Sequence, residues 1–216
     1  MSKRIVLVNG SARKNGNTWS MLRKIREGAV IKGAEVEMIH LSNLDFKGCY
    51  SCFACKELNG DNYGHCAVND GLRPVFQKIE EADAFVLGSP IYWGNLSGQM
   101  RSFMERLLFQ YLVYGKQPSS AAPKTFHTAL VTTMNIGEAL YGPSGLEATI
   151  GQLHMIMQMI FGDCEVLNLY ETVQFEDYSK YVYSSLDKEE KSKRDPAISN
   201  ENLEKAFNLG VKLAIW

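Results

Sequence analysis

Two groups of residues in this 216-residue chain have the types and spacing for chemistry. Cys49, Cys52 and Cys55 stand at C-x2-C-x2-C pitch, and Cys66 follows the polar stretch Lys56-Glu-Leu-Asn-Gly-Asp-Asn-Tyr-Gly-His65. Thiolates are soft, anionic donors, and three at this pitch resemble part of an iron–sulfur ligand run, with a fourth delivered by a loop that can bulge out. Cys49, Cys52, Cys55 and Cys66 are therefore candidate ligands of a [4Fe–4S] cluster. They could equally stand as unliganded or redox-active thiols. A structural zinc is the third reading, weakened because a C-x2-C pair normally faces a second, separated pair.

The second group lies at the start of the chain. Arg4-Ile-Val-Leu-Val-Asn9 is a short apolar run that breaks at Gly10-Ser-Ala-Arg-Lys-Asn-Gly-Asn-Thr18, after which a helical period begins. A buried strand feeding a helix through such a loop makes an anion cradle, because the first N–H groups of a helix have no intrahelical acceptor and carry partial positive charge. The loop is neither G-x-x-x-x-G-K-[ST] nor G-x-G-x-x-G. It offers Ser11, Asn17 and Thr18 as neutral donors, Arg13 as one fixed cation and Gly16 for close approach, a set that suits a terminal phosphate monoester better than a pyrophosphate. An ordinary side-chain-capped turn is the competing explanation.

The elements that must position these groups alternate. Thr18, Leu22, Ile25 and Ala29 recur at helical spacing, so 17–31 reads as a helix that Gly33 ends. Strands are expected at 4–9, 35–41, 84–88, 128–133 and 165–169. Helices are expected over Leu72–Ile79 with Asp70 as cap, over Met100–Leu107 with Glu105-Arg106 as a structural end, over Leu146–Ile160, and over Leu203, Phe207 and Ala214. Strands alternating with helices predict one α/β domain spanning 1–216, a doubly wound five-stranded parallel sheet in the order 2-1-3-4-5. Ligands of such sheets sit beyond the carboxyl ends of the strands, where the strand order reverses.

The third strand leads to that position through Gly88-Ser-Pro-Ile-Tyr-Trp-Gly-Asn-Leu-Ser-Gly-Gln-Met100. Pro90 holds the turn, Gly94 and Gly98 allow close backbone approach, and Tyr92 and Trp93 can line or stack on a flat ring. A phosphate loop beside an aromatic, glycine-punctuated loop describes a flavin mononucleotide (FMN) site. The alternative is that Tyr92 and Trp93 are core aromatics at a strand end. Thr132 and Thr133, at the end of the fourth strand, are placed to reach the pyrimidine edge of the ring.

Composition bounds the rest. A net charge of −1 gives no reason to expect nucleic acid or an anionic membrane as partner. No apolar run approaches the roughly 20 residues of a membrane span, and no signal-peptide pattern opens the chain, so a soluble, cytoplasmic protein is expected. Five cysteines without a secretion signal argue against a disulfide framework. Cys164 reads as a buried small hydrophobe, and Met155, Met157 and Met159 as core or interface filler. His40, His65, His127 and His154 read as structural or surface residues, and Asp187–Asp195 as a solvated segment. Residues 109–123, 134–145 and 170–183 are expected to shape access to the ring, the last of them opening an extended 170–200 stretch before the last helix.

The two loop motifs, Gly10–Thr18 and Ser89–Met100, together resemble the flavodoxin-like NADPH-dependent FMN reductase family, nearest its iron–sulfur flavoprotein branch. The resemblance runs from residue 4 to about residue 170. It implies FMN, with Ser11, Arg13, Asn17 and Thr18 on the phosphate and Pro90, Ile91, Tyr92, Trp93, Gly94 and Asn95 beside the isoalloxazine. It also implies a homodimer or homotetramer with flavins at subunit interfaces. The branch carries a compact four-cysteine run at this loop with a shorter last gap than the one here. Reductase-type relatives carry cysteines there without a cluster.

Three functions remain distinct. One is an oxidoreductase taking electrons from a transient NAD(P)H donor and passing them to a flavin, quinone or other small acceptor by ping-pong hydride transfer. No acid–base residue is needed, since the organic chemistry belongs to the flavin. The second is an electron carrier for a redox protein, with a [4Fe–4S] cluster near FMN. The third is a non-catalytic FMN-binding module.

Overall fold

The computed structural model describes residues 2–116, 119–175, 177–182 and 198–216. Five strands form the predicted parallel sheet: β1 (Arg4–Asn9), β2 (Glu35–His40), β3 (Ala84–Tyr92), β7 (Phe126–Thr133) and β8 (Gly162–Leu169), in the spatial order β2-β1-β3-β7-β8. A short strand, β4 (Asn95–Leu96), folds back antiparallel on the end of β3. A separate two-stranded ribbon, β5 (Leu112–Val113) with β6 (Ser119–Ser120), follows the third helix. The helices are α1 (Asn17–Ile31), α2 (Arg73–Glu81), α3 (Gly98–Tyr111), α4 (Leu146–Phe161) and α5 (Asn200–Ile215). The Asp187–Asp195 segment and most of the 183–200 stretch lie outside the described residues.

The three central strands, β1, β3 and β7, are buried on both faces, as parallel strands are when helices cover each side, while the edge strands β2 and β8 are only partly covered. Along β1 the side chains alternate: Val6 and Val8 join the core under α2, α3 and α4, while Ile5 and Leu7 join the core under α1 and α5. Several boundaries differ from expectation. β3 runs four residues past Gly88 because β7 stays paired with it as far as Pro90↔Thr133. β1 leaves at Asn9↔Gly88, so Pro90 sits where β3 has an open edge and its missing N–H is tolerated. β2 stops at His40, where a 3-10 turn begins. Leu72, not Asp70, occupies the cap position of α2, without a side-chain cap.

Asp70 instead forms a bidentate pair with Arg106, which lies inside α3 and not beyond its end. Arg106 is only 2% exposed, and its Nη1 also donates to the Lys47 carbonyl. One guanidinium thus holds both ends of the cysteine loop against α3. Lys56, from the middle of that loop, donates to the Gln110 and Leu112 carbonyls and closes the helix C-terminus.

α5 packs on α1 through backbone contact. A Cβ at Gly28 would overlap the Phe207 carbonyl oxygen, and one at Gly210 would overlap the Ile25 carbonyl oxygen. The face of α5 turned inward is accordingly Ala206, Leu209, Gly210, Leu213 and Ala214, whereas Leu203 and Phe207 are half-buried at its margin.

Gly28→Ala or Gly210→Ala should therefore destabilise the protein by about 2–3 kcal/mol in urea unfolding, because neither backbone can yield. An unchanged midpoint would show that the helices do not touch. Asp70 supplies a pH signature. Burial alone would push its carboxyl up, but the Arg106 guanidinium and the Leu72 N–H outweigh that and hold it below its ordinary value. A carboxylate depressed in the folded state stabilises fully above its unfolded pKa of about 3.9, and that contribution is lost as pH falls through the lower folded value. Asp70→Asn should cost about 3 kcal/mol at pH 7. The gap from the native protein should close in acid; a gap independent of pH would contradict the pairing.

Candidate functional site at the carboxyl edge of the sheet

The loop after β1 is shaped by its own side chains. Asn9 Oδ1 accepts the Ser11 N–H at 3.0 Å, and Ser11 Oγ accepts the Arg13 N–H at 3.1 Å, which leaves the Ser11 hydroxyl proton as a donor. Asn9 Nδ2 bonds the ring of His40 at 2.9 Å, and Trp19 packs on that ring, so His40 is a buttress of the loop. Burial and then the nearby Lys14 charge push the His40 pKa down, in keeping with a neutral ring that accepts from Asn9.

α1 begins at Asn17 with Gly16 as N-cap, no side chain bonded to its free N–H groups and no acidic residue in the first turn. The helix start thus carries no side-chain cap and is open to an anion. Of the residues expected on a phosphate, Ser11, Gly16 and Thr18 lie at this opening. The Thr18 and Thr133 hydroxyls are 2.8 Å apart and share one hydrogen bond, in which either can donate. Arg13 and Asn17 also flank the opening, but their side chains donate to the Gln174 and Val173 carbonyls at 2.6 and 3.0 Å. They tie the post-β8 strap over the loop. Thr132 is fully buried, and its hydroxyl donates to Asn168 Oδ1 at 2.6 Å.

Across the reversal in strand order, β3 and β4 are joined by a two-residue turn, Trp93-Gly94, with both residues left-handed (φ 51° and 74°). Such turns match the twist of the flanking strands and favour Asn or Gly. Trp93 occupies one at 104% relative exposure, so it is not a core aromatic, and Tyr92 beside it is half exposed. Ile91 packs on the core and Asn95 Oδ1 accepts the Leu96 N–H, while the space above Gly94 and Gly98 is open.

Ser97, whose role the sequence reading missed, joins the two loops. Its Oγ donates to the Gly10 carbonyl at 2.7 Å and accepts the Met100 N–H, while its own N–H donates to Ser89 Oγ. It is the N-cap of α3. A serine three residues before the start of the helical period of 100–107 is the signal that could have found it. The contact is tight enough that a Cβ at Gly10 would stand 2.8 Å from Met100 Cβ.

Together these features fit FMN. An uncapped helix start with hydroxyl donors suits its phosphate, and an exposed aromatic hairpin with open space above it suits its ring.

The four loop cysteines line a single second pocket with Arg106 and Gln110. Cys49 and Cys52 are exposed, Cys66 is half-buried and Cys55 is buried. Burial pushes the Cys55 thiol up, outweighing the nearby Lys56 charge. Ser51 and Phe53, between the cysteines, are both left-handed. Among the described residues no three His, Cys, Asp or Glu side chains converge closely enough to hold a metal ion, so Cys49, Cys52, Cys55 and Cys66 as they stand assemble neither a zinc site nor a cluster site. Cys164 is buried in β8 as expected, and its carbonyl bonds His154. His65 and His127 pair with Glu80 and Asp163. Among the described residues no helix is long and apolar enough to cross a membrane.

Comparison with known proteins agrees with this geometry. An iron–sulfur flavoprotein of Archaeoglobus fulgidus is 38% identical over 103 residues, covering 48% of each chain. One of Methanocaldococcus jannaschii is 33% identical over 103 residues, 48% of this chain and 51% of that one. The match thus spans about half the length of these relatives. In fold, the chain is similar to an NAD(P)H:quinone oxidoreductase from Methanothermobacter marburgensis, with a TM-score of 0.69 at 15% identity over 99% of this chain and all of that one. Residues 3–160 match the family described as NADPH-dependent FMN reductase, and on that extent of the sequence the chain belongs to it.

Proposed function

We propose that this protein is an FMN-dependent oxidoreductase that draws electrons from NAD(P)H and passes them to a small acceptor such as a flavin or quinone. The observation that carries the reading is the open N-terminus of α1, bonded through Gly10 and Ser97 to the exposed aromatic hairpin. Bound FMN supplies hydride and single-electron chemistry, and the chain supplies placement. Ser11, Thr18 and the N–H groups at the start of α1 hold the phosphate, with Arg13 and Asn17 at its flank. Pro90 to Asn95 shape the ring pocket, and Thr132 and Thr133 stand behind its pyrimidine edge. The nicotinamide stacks on the open face and leaves before the acceptor enters.

Trp93 supports a homodimer or homotetramer. A bulky residue in a left-handed turn is strained by about 1–3 kcal/mol, and strain of this kind persists where the residue has a function. Among the described residues nothing covers it, so a second subunit's contact over the flavin is the role proposed for it.

A second reading rests on the cysteine pocket. Four cysteines line it, and the backbone between the first three is left-handed at Ser51 and Phe53. The names of the two archaeal relatives support a [4Fe–4S] cluster on Cys49, Cys52, Cys55 and Cys66, with the protein handing single electrons to a redox partner. Cluster binding would deprotonate Cys55 despite its burial.

The purified protein should be yellow and release FMN on denaturation. Ser11→Ala with Thr18→Ala should weaken FMN binding roughly 100-fold, since two hydrogen bonds to a charged group are lost. Unchanged retention would show that the loop does not hold the phosphate. Initial rates against NAD(P)H and a quinone should give parallel double-reciprocal lines; absence of turnover with either nicotinamide would leave a binding module. Anaerobic purification with iron and sulfide analysis decides the second reading, about four irons per chain supporting it and iron-free flavin bands disposing of it.

A further inference from the structure

Asn9 and His40 end neighbouring strands in register, and the Asn9 amide joins His40 to the loop after β1. Asn9 is wholly buried, so both ends of its amide need partners. Oδ1 accepts the Ser11 N–H at 3.0 Å, and because a backbone N–H can only donate, this bond fixes which end of the amide is which. Nδ2 therefore faces the His40 ring, 2.9 Å from Nδ1. Nδ2 is a donor, so Nδ1 must accept, with the ring proton on Nε2. The shape of the loop is thus tied by two hydrogen bonds to the protonation of a histidine outside it. The ring is half-buried, within reach of solvent protons. Trp19 of α1 packs on it with centroids 4.1 Å apart, and among the described residues Lys14 of the loop is the charged group that acts on it. Burial and then the Lys14 charge both disfavour the charged ring.

A protonated His40 carries N–H at both ring nitrogens and cannot accept from Asn9. Two donors then face each other, and the buried amide relieves the clash only by turning over. Turned over, it presents Nδ2 to the Ser11 N–H, which loses its acceptor, and Ser11 in turn holds the Arg13 N–H through Oγ at 3.1 Å. Resting on the FMN reading above, we infer that His40 is a positioning residue whose uptake of a proton unlocks the phosphate loop, so that the site retains FMN while His40 is neutral and releases it in acid. Linkage is reciprocal: if protonation weakens FMN binding, bound FMN must lower the His40 pKa by the same factor. Charge alone gives the opposite sign, since a phosphate anion near a histidine raises its pKa. The direction of that shift separates the two.

The test compares the flavin-free full chain with its His40→Asn variant, in which Oδ1 takes the place of Nδ1 as acceptor and does not titrate. FMN affinity is measured by flavin fluorescence from about pH 7.5 to about pH 5, a range that spans the ordinary histidine value of about 6.5. The phosphate of FMN also titrates in this range, near pH ~6, but it does so with both proteins, and the ratio of their affinities isolates His40. The unmodified protein should lose roughly tenfold more affinity than the variant on acidification, as one loop hydrogen bond is lost and one buried donor is left unpaired. NMR titration of the unmodified protein needs no variant: the His40 ring signals, identified by their contact with Trp19, should titrate at lower pH with FMN bound than without it. A His40 pKa that FMN leaves unmoved or raises overturns the coupling whatever the variant does, and so do superimposable pH profiles of two folded proteins; either leaves the FMN reading intact. Failure of the unmodified protein to bind FMN at about pH 7.5 overturns that reading and the coupling with it.

Discussion

The structure depends on unpaired N–H groups at the start of α1, held at the carboxyl end of a central strand. β1 lies between β2 and β3, so its loop opens where the strand order reverses. Gly16 at the cap position supplies no side chain to close the helix, and no carboxylate in the first turn competes for its partial positive charge. A site of this kind is made by what is withheld from it. The surrounding bonds stiffen the loop and leave the donors free: Asn9 and Ser11 turn the chain, and His40 braces Asn9 from the next strand.

α3 extends that site to the other one. Its first turn is pinned to the phosphate loop by Ser97, and Met100 leaves room for no side chain at Gly10. Its last turns carry Arg106 and Gln110 against the cysteines, about 14 and 20 Å along the axis from Ser97. Lys56 returns from the cysteine loop to close the helix end. One rigid element thus fixes the flavin-side hairpin and the cysteine pocket relative to each other, which an electron path between them would require. Arg106 is the residue on which this arrangement turns, since it joins α3 to both ends of the loop.

The sheet order and the limits of α1 were legible because they rest on local patterns: a β-branched run, a glycine-rich break, a helical period and the left-handed Gly33 beyond it. The continuation of β3 through Ser89 and Pro90 was not, because turn-forming residues stay in a strand only when a neighbour such as β7 keeps pairing with them. Asp70 read as a cap because its partner, Arg106, is 36 residues away. The close packing of α5 on α1 was not legible, because Gly28 and Gly210 bring two backbones together, and a helical glycine shows no such contact in one dimension. Within the site, residue types pointed to the loops, but the hydroxyl of Thr132 and the side chains of Arg13 and Asn17 were found bonded to Asn168 and the post-β8 strap. Those are tertiary contacts, set by which segment folds over which.

The central claim, that the open helix start grips a phosphate, is tested most directly by comparing the affinities of the flavin-free protein for FMN and for riboflavin, which has the same ring and no phosphate. The account predicts that FMN binds at least roughly 100-fold tighter, and that the difference shrinks as salt is raised. Equal affinity for the two would contradict it.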